Sequence, residues 1–448
     1  MYLWKYSLNT GKMAVFGLAG VAMEQSYIQK HLRFNFTVNV LDGAFFGVGL
    51  GFASYVTVLP LFINTLTDST ILIGLVPALH TVGFLLPQLF TAGRVARLPR
   101  YKPMVLWMTL HERWPFLGLA IVALLAPTLG TEITLFFTFA MILTQSFGGG
   151  FTATAWQSMI SKIMPAGRRG TFFGIQGAAA NLVSGFSSIL AGIILVSFAY
   201  PGNYALSFFL AAVGMVFSFI SLGLTREPER PVAAESISRN HSWANVRTIL
   251  ARDFNFRWYL IARLLGHFGW MALGFFTIYA VRAFDMDAQT AGFMTGVMLF
   301  ANTAANPLLG WVGDTLSHRR VFIMGALLMG LASIIALAAP QLEWFYLVFA
   351  IGGLGNAVMW TTAMSFTVEF GTEEERPYYI GMSGTLTGPA ALAAPIIGGW
   401  LVDAVNFQTM FILAAATAFL TAFVLQFLVR EPRPRQRLSP VQMAEAAP

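Results

Sequence analysis

Not one cysteine occurs in the 448 residues, which removes disulfides, thiolate nucleophiles and Cys-ligated metals and leaves the redox compartment unmarked. Charge is scarce too. Asp, Glu, Lys and Arg make up 10% of the chain, where a soluble globular protein carries roughly 25%, so a single soluble core is excluded. Missing as well are a G-x-x-x-x-G-K-[ST] loop to cradle ATP phosphates, a G-x-S-x-G nucleophile turn and any histidine pair at metal spacing. No cofactor and no metal are expected. What the chain has in excess is apolar surface: 56% of its residues are hydrophobic. Uncharged runs of about 20 residues, the length that crosses a hydrocarbon core of about 30 Å, recur along most of it.

Reading those runs between polar punctuation places spans near 36–62, 71–92, 103–126, 133–160, 171–198 and 204–225, and again near 257–281, 290–312, 321–339, 344–368, 378–402 and 408–429. The first 33 residues read as a cytoplasmic segment whose apolar patch forms an amphipathic lead-in helix rather than a cleaved leader, since a small-residue cleavage site is poor. Between the two sets, Trp243, Val246, Ile249 and Leu250 share a face at helical spacing. They predict an amphipathic helix on the membrane surface within a cytoplasmic linker, 226–256. The expected organisation is thus 1–33, a first six-helix bundle at 34–225, the linker, a second bundle at 257–429, and a cytoplasmic tail at 430–448.

The two sets echo each other. Phe34-Asn35-Phe36 recurs as Phe254-Asn255-Phe256, Gly49 as Gly269, Pro87 as Pro307 and Gly93 as Gly313, all shifted by 220 positions. Gly148-Gly149 and Trp156 recur as Gly352-Gly353 and Trp360, and Arg226-Glu227-Pro228 as Arg430-Glu431-Pro432, shifted by 204. Arg169 and Gly174 reappear as Arg376 and Gly381. Matches that keep chain order with small drifts imply two halves of like topology. Basic residues set the orientation: 24 of the 27 Lys and Arg fall in segments that share one side if both termini are cytoplasmic. Short loops beside anionic lipid then account for the basic balance without nucleic acid.

The loop WVGDTLSHRR, 311–320, lies between spans eight and nine. With Gly310 three residues before Gly313, then Asp314, Arg319 and Arg320, it resembles the signature loop of the major facilitator superfamily, with Ser317 in place of the second Gly and His318 in place of the first basic residue. A second copy, GRVARLPRYK from Gly93 with Arg94 and Arg97, has no Asp. The resemblance implies an all-α protein of 12 transmembrane helices in two pseudo-symmetric bundles, working without ATP by alternating access. It implies that Asp314 latches the cytoplasmic side against the 161–171 segment, near Arg168 or Arg169, that Arg376 is the counterpart of Arg169, and that the other latch is weak.

Four charges fall within spans: Asp42, Glu112, Arg113 and Arg263. Each unpaired charge costs about 2.5–3.5 kcal/mol at a span's centre, so they must pair or face water. They lie at similar depth, and their charges cancel. A polar layer facing a central cavity is expected, with His111 and His267 beside it. Asp42 with Arg113 can equally be a permanent pin between spans one and three. Arg263 and His267, four apart on one face, are expected to contact the solute, and Glu112 to carry a coupling proton if one moves. Trp156 and Trp360 suit either the cavity or an interfacial belt. Gln145 and Asn356, with Asn302 and Asn306, can bond a solute or join helices, and His80 reads as helix packing. Gly388-Pro389 and Pro395 predict bends in span eleven. An Ala-Pro-x-x-Gly-Gly element at 394–399 resembles one that proton-coupled drug exporters of the superfamily carry on span five; the aligned SSILAG, 187–192, lacks the proline, which counts against that class.

The expected function is secondary active or facilitative transport of a small solute, possible partners being a proton or other coupling ion and membrane lipids, by a monomer in the plasma (inner) membrane. The alternatives are an integral membrane enzyme, or a lipid-handling or receptor protein on the same scaffold. Only His111-Glu112-Arg113 tempts an enzymatic reading, and consecutive helical positions point about 100° apart, so the three cannot converge on one atom.

Overall fold

A computed structural model describes residues 3–229 and 242–432; side chains are described from residue 26 onward, except at 70, 71, 242–244, 288 and 289. Trp243, the faces of the lead-in helix and the tail from 433 lie outside what is described. Helix α1 spans Leu3–Phe52 and α2 Val58–Asn64. Helices α3 (Thr70–Leu85) and α4 (Gln88–Val95) form one rod interrupted at Pro87, and α5 (Lys102–Arg113) and α6 (Pro115–Leu129) another that restarts at Pro115. Proline supplies no N–H for the helical ladder, which explains both breaks. Three uninterrupted helices follow: α7 (Thr131–Ile163), α8 (Arg169–Ser197) and α9 (Gly202–Gly223).

After α10 (Ser242–Arg252), the second half repeats the plan. Helices α11 (Phe254–Trp270) and α12 (Phe276–Phe284) are joined by a tight 3₁₀ turn. Then come α13 (Ala288–Thr315), α14 (His318–Ala338), α15 (Trp344–Ala357) and, after a π-helical turn at Val358–Thr362, α16 (Ala363–Thr367). Helices α17 (Arg376–Thr385), α18 (Gly388–Ala404) and α19 (Phe407–Phe427) finish it. Span eleven breaks before Gly388-Pro389 as its sequence predicts, whereas Pro395 stays inside α18.

Ten helical rods are long and apolar enough to cross a membrane among the described residues. The two other long helices, α1 and α13, are more polar because they carry Asn35, Asn39 and Asp42, and Asn302 and Asn306, respectively. A multi-pass all-helical membrane protein is the result.

The sequence repeat reappears as repeated contacts. Asn35 donates to the Arg226 carbonyl at 2.8 Å and accepts from the Arg226 amide at 2.9 Å. Asn255 does the same with Arg430, at 2.9 and 2.6 Å. Each clamp ties the start of one half to its end, and both lie at the same end of the molecule, here called the basic end. Beside the first clamp, Glu227 accepts from the Tyr101 and Lys102 amides at 2.8 and 2.7 Å, capping α5, and pairs with Lys162 at 3.1 Å, both side chains about 1% exposed. Its counterpart Glu431 accepts only from the neutral Ser317 hydroxyl among the bonds described. Replacing Glu227 by alanine leaves a buried ammonium without its anion, so a loss of about 3–5 kcal/mol is expected. Glu431→Ala is expected to cost less, and thermal unfolding of the two purified variants compares them directly; equal losses would contradict the assignment.

Helix α10 departs from the expected place. Val246 and Ile249 are buried in an apolar cluster with Leu89, Ala92, Phe256 and Tyr378, and Asn245 donates to the Tyr378 hydroxyl at 2.9 Å. Its apolar face packs on protein from both halves rather than on the membrane surface, because those residues offer apolar area that lipid would otherwise supply.

Candidate functional site

A cavity of about 430 Å³ lies between the halves, a size suited to a small organic molecule. At the basic end it is closed by close approach of backbones. Gly174 of α8 packs on the Asn306 carbonyl of α13, where a side-chain carbon would collide.

Asp42, Glu112 and Arg113 line this cavity together. The Arg113 guanidinium donates to Asp42 at 3.0 Å, to the Ser218 hydroxyl at 2.9 Å and to Glu112 at 3.3 Å, and lies over the Phe46 ring at 5.4 Å. Ser218 also donates to Asp42 at 2.6 Å, and Thr109 to Glu112 at 3.0 Å. One guanidinium thus serves two carboxylates, and a neutral hydroxyl joins it on the same oxygen of each. Glu112 fits against Gly149, where a Cβ would come within 2.8 Å of its Oε1.

A second polar strip crosses from one half to the other. Asn181 of α8 donates to Asn302 of α13 at 3.0 Å, Asn306 donates to the same Asn302 oxygen at 3.0 Å, and Thr361, in the π-helical turn, donates to Asn306. A π turn carries an extra residue, and such turns recur at functional sites; this one sits on the cavity wall with Trp360 and Thr361. Trp156, Trp360 and Asn356 also line the cavity.

Four residues expected at this site lie elsewhere. Arg263 is not in the layer of Asp42, Glu112 and Arg113: it lines a separate, narrower space, with Trp360 and Met364 bordering both. His267, one turn further, lines neither. His111 lies on the outer face of α5, in a groove with Trp107, Phe147 and Phe151, because Glu112 points inward and the adjacent position turns away. Gln145 is buried elsewhere, accepting from the Tyr55 hydroxyl at 2.6 Å, with His80 Nδ1 at 3.3 Å and stacked on Tyr55.

At the closed end, both Asp314 carboxylate oxygens accept backbone amides at the start of α8, from Gly170 at 2.9 Å and Thr171 at 2.6 Å. A carboxylate on the positive end of a helix from the other half is a charge-assisted clasp. His318 is buried beside it, Nε2 3.7 Å from Asp314 and Nδ1 2.6 Å from Glu369. Glu369 escaped the sequence reading, since nothing in its local pattern separates it from the acidic run 373–375. Gly310 abuts Gly170, and Gly313 abuts His318. Arg169 folds back on the Met164 carbonyl at 3.2 Å and its counterpart Arg376 on that of Val368 at 3.0 Å; Arg376 also reaches Ser161 of the first half at 3.3 Å. Arg319 donates to the Val429 carbonyl at 2.6 Å, while Arg320 is exposed.

The loop copy at the other seam, 93–102, carries no acid of its own. Arg94 is exposed, and Arg97 donates to the Gly93 carbonyl at 3.0 Å. Instead Thr385 of α17 inserts at the Pro87 break, donating to the Leu86 carbonyl at 2.8 Å and accepting from the Leu89 amide at 3.0 Å. Neutral hydrogen bonds to freed backbone groups close this side.

The sequence profile described as Major Facilitator Superfamily matches residues 41–281 and 259–447. The chain belongs to this superfamily. Solved structures similar to it include the FucP transporter of the superfamily in its outward conformation (14% identity, TM-score 0.72, 88% of this chain and 98% of that one). A bacterial homologue of the iron transporter ferroportin in an outward-facing state is also similar (14%, TM-score 0.71, 87% and 98%). These share the superfamily's fold. Among curated proteins, the multidrug transporter protein MdtP of Bacillus subtilis (strain 168) is 26% identical over 148 residues, 33% of this chain and 27% of its own length. The multidrug resistance protein B homolog of Mycobacterium tuberculosis (strain ATCC 25618 / H37Rv) is 30% identical over 157 residues, 34% of this chain and 28% of its length. The matched stretch thus spans little more than a quarter of these relatives.

Proposed function

We propose that this superfamily member moves a small solute across the plasma (inner) membrane by alternating access, as a monomer of twelve spans with its basic end and both termini in the cytoplasm. On this reading residues 34–225 and 257–429 are the two moving bundles and 226–256 their tether. The observation that carries it is the cavity between the halves, lined by Asp42, Glu112 and Arg113, beyond an end closed by the Asp314 clasp. Rocking the halves about Asn181, Asn302 and Asn306 would exchange the closed end for the open one. Asp42, Glu112, Arg113, Trp156, Trp360 and Asn356 then form the solute site, with Glu112 carrying a coupling proton. The membrane-enzyme alternative has no support in the site, where His111 and Glu112 face opposite ways.

The multidrug names of two matched relatives make drugs the first probes, and small neutral solutes such as sugars are the second. A thermal-shift screen of the purified protein over both sets identifies a ligand, whose movement is then followed in proteoliposomes with and without a pH gradient. Glu112→Gln is expected to abolish gradient-driven accumulation while solute exchange, even if slowed, stays measurable. Accumulation that persists in this variant removes Glu112 from the coupling role.

A further inference from the structure

Arg263 is the buried cation that the solute site leaves unused. Only 9% of it is exposed, its Nε has no hydrogen-bond partner, and no carboxylate pairs with it among the described residues. The other two buried Lys and Arg side chains of the described spans have a carboxylate: Arg113, whose Nε is likewise unpartnered, has Asp42 at 3.0 Å, and Lys162 has Glu227 at 3.1 Å. A guanidinium removed from water without an anion is disfavoured, so a partner has to come from outside the chain.

The space beside it has the size and lining for one. It holds about 40 Å³, above the roughly 10–15 Å³ that admits one water. Gln88 and Gln157 of the first half and Thr367 and Ser383 of the second border it, and no acid does. Gln157 is itself 5% exposed. All of these side chains are neutral and carry N–H or O–H groups, of which Gln88 and Thr367 also donate to the Phe84 and Ala363 carbonyls.

We propose that this space is a small-anion site, taking chloride or a carboxylate no larger than acetate against Arg263. Because its walls come from both halves, the anion binds when the basic end is closed and favours that conformation. The inference stands apart from which solute the main cavity carries, and its test needs no transport.

The test is thermal unfolding of the purified wild-type protein in detergent at constant ionic strength, with sodium chloride or sodium acetate exchanged for sodium gluconate, whose anion is too large for the space. A rise in Tm of several degrees that saturates with chloride or acetate is expected, and its loss in Arg263→Gln. A response to chloride alone identifies a free halide, and a response to acetate alone a carboxylate head. Equal Tm values in all three salts, or the same rise in Arg263→Gln, would overturn the proposal. Should that variant fail to fold, the wild-type series decides: a rise that does not saturate with chloride or acetate, or that gluconate gives as well, overturns it.

Discussion

Arg113→Leu is expected to lower stability by about 3–5 kcal/mol, the range for removing one partner of a buried ion pair. Arg113 is 7% exposed and stands between Asp42 and Glu112, so its loss leaves two buried carboxylates and the Ser218 hydroxyl without their common donor. The double variant Asp42→Asn, Arg113→Leu removes one of the stranded charges along with the cation and is expected to recover a large part of the loss. The double-mutant cycle, read by thermal unfolding in detergent, measures the coupling. A single variant costing less than about 1 kcal/mol would mean that the cluster is bathed in water, as an exposed pair is. Arg113→Lys is expected to fall between, because an ammonium cannot present the planar fork that reaches both acids.

Asp314→Asn is expected to open the basic end. An amide offers one acceptor oxygen where the Gly170 and Thr171 amides now use two, and it brings no charge to the start of α8. A hydrogen bond to a charged group contributes about 1.5–3 kcal/mol, which at about 1.4 kcal/mol per factor of ten moves the balance of conformations roughly ten- to a hundred-fold. The natural absence of cysteine makes the measurement direct. Ser161 is 1% exposed and bonded by Arg376 across the seam, so a cysteine placed there reports opening through its alkylation rate. The rate is expected to rise at least ten-fold in Asp314→Asn, with solute binding retained. An unchanged rate denies Asp314 its role as a clasp, and lost binding would assign it to the solute site instead.

Much of this architecture was legible beforehand because it rests on local physics. Apolar runs had to be helices, since lipid leaves no other way to satisfy the backbone. The paired Phe-Asn-Phe and Arg-Glu-Pro elements announced two halves, and they are joined by the same asparagine clamp in each. The helix N-terminus that receives Asp314 lies within the segment expected to face it. Beyond that the pattern was silent. Charge counting placed Arg263 with Asp42, Glu112 and Arg113 because their depths agree, but depth along a span says nothing of which neighbour lies beside it. Periodicity put His111 one position from Glu112, and only knowing that Glu112 faces inward sends His111 outward. Gln145 found Tyr55, some 90 positions away in the chain, a pairing that no spacing encodes.

The sequence by itself determined the number and nature of the apolar segments, their duplication and the charged loop that ends span eight, for each depends on residues close in the chain or on composition. Only the tertiary structure decided which polar groups share a cavity, which end is closed, and that Arg263 has a space of its own. Those outcomes depend on the rotation and separation of helices brought together from distant parts of the chain, and short-range patterns do not specify either.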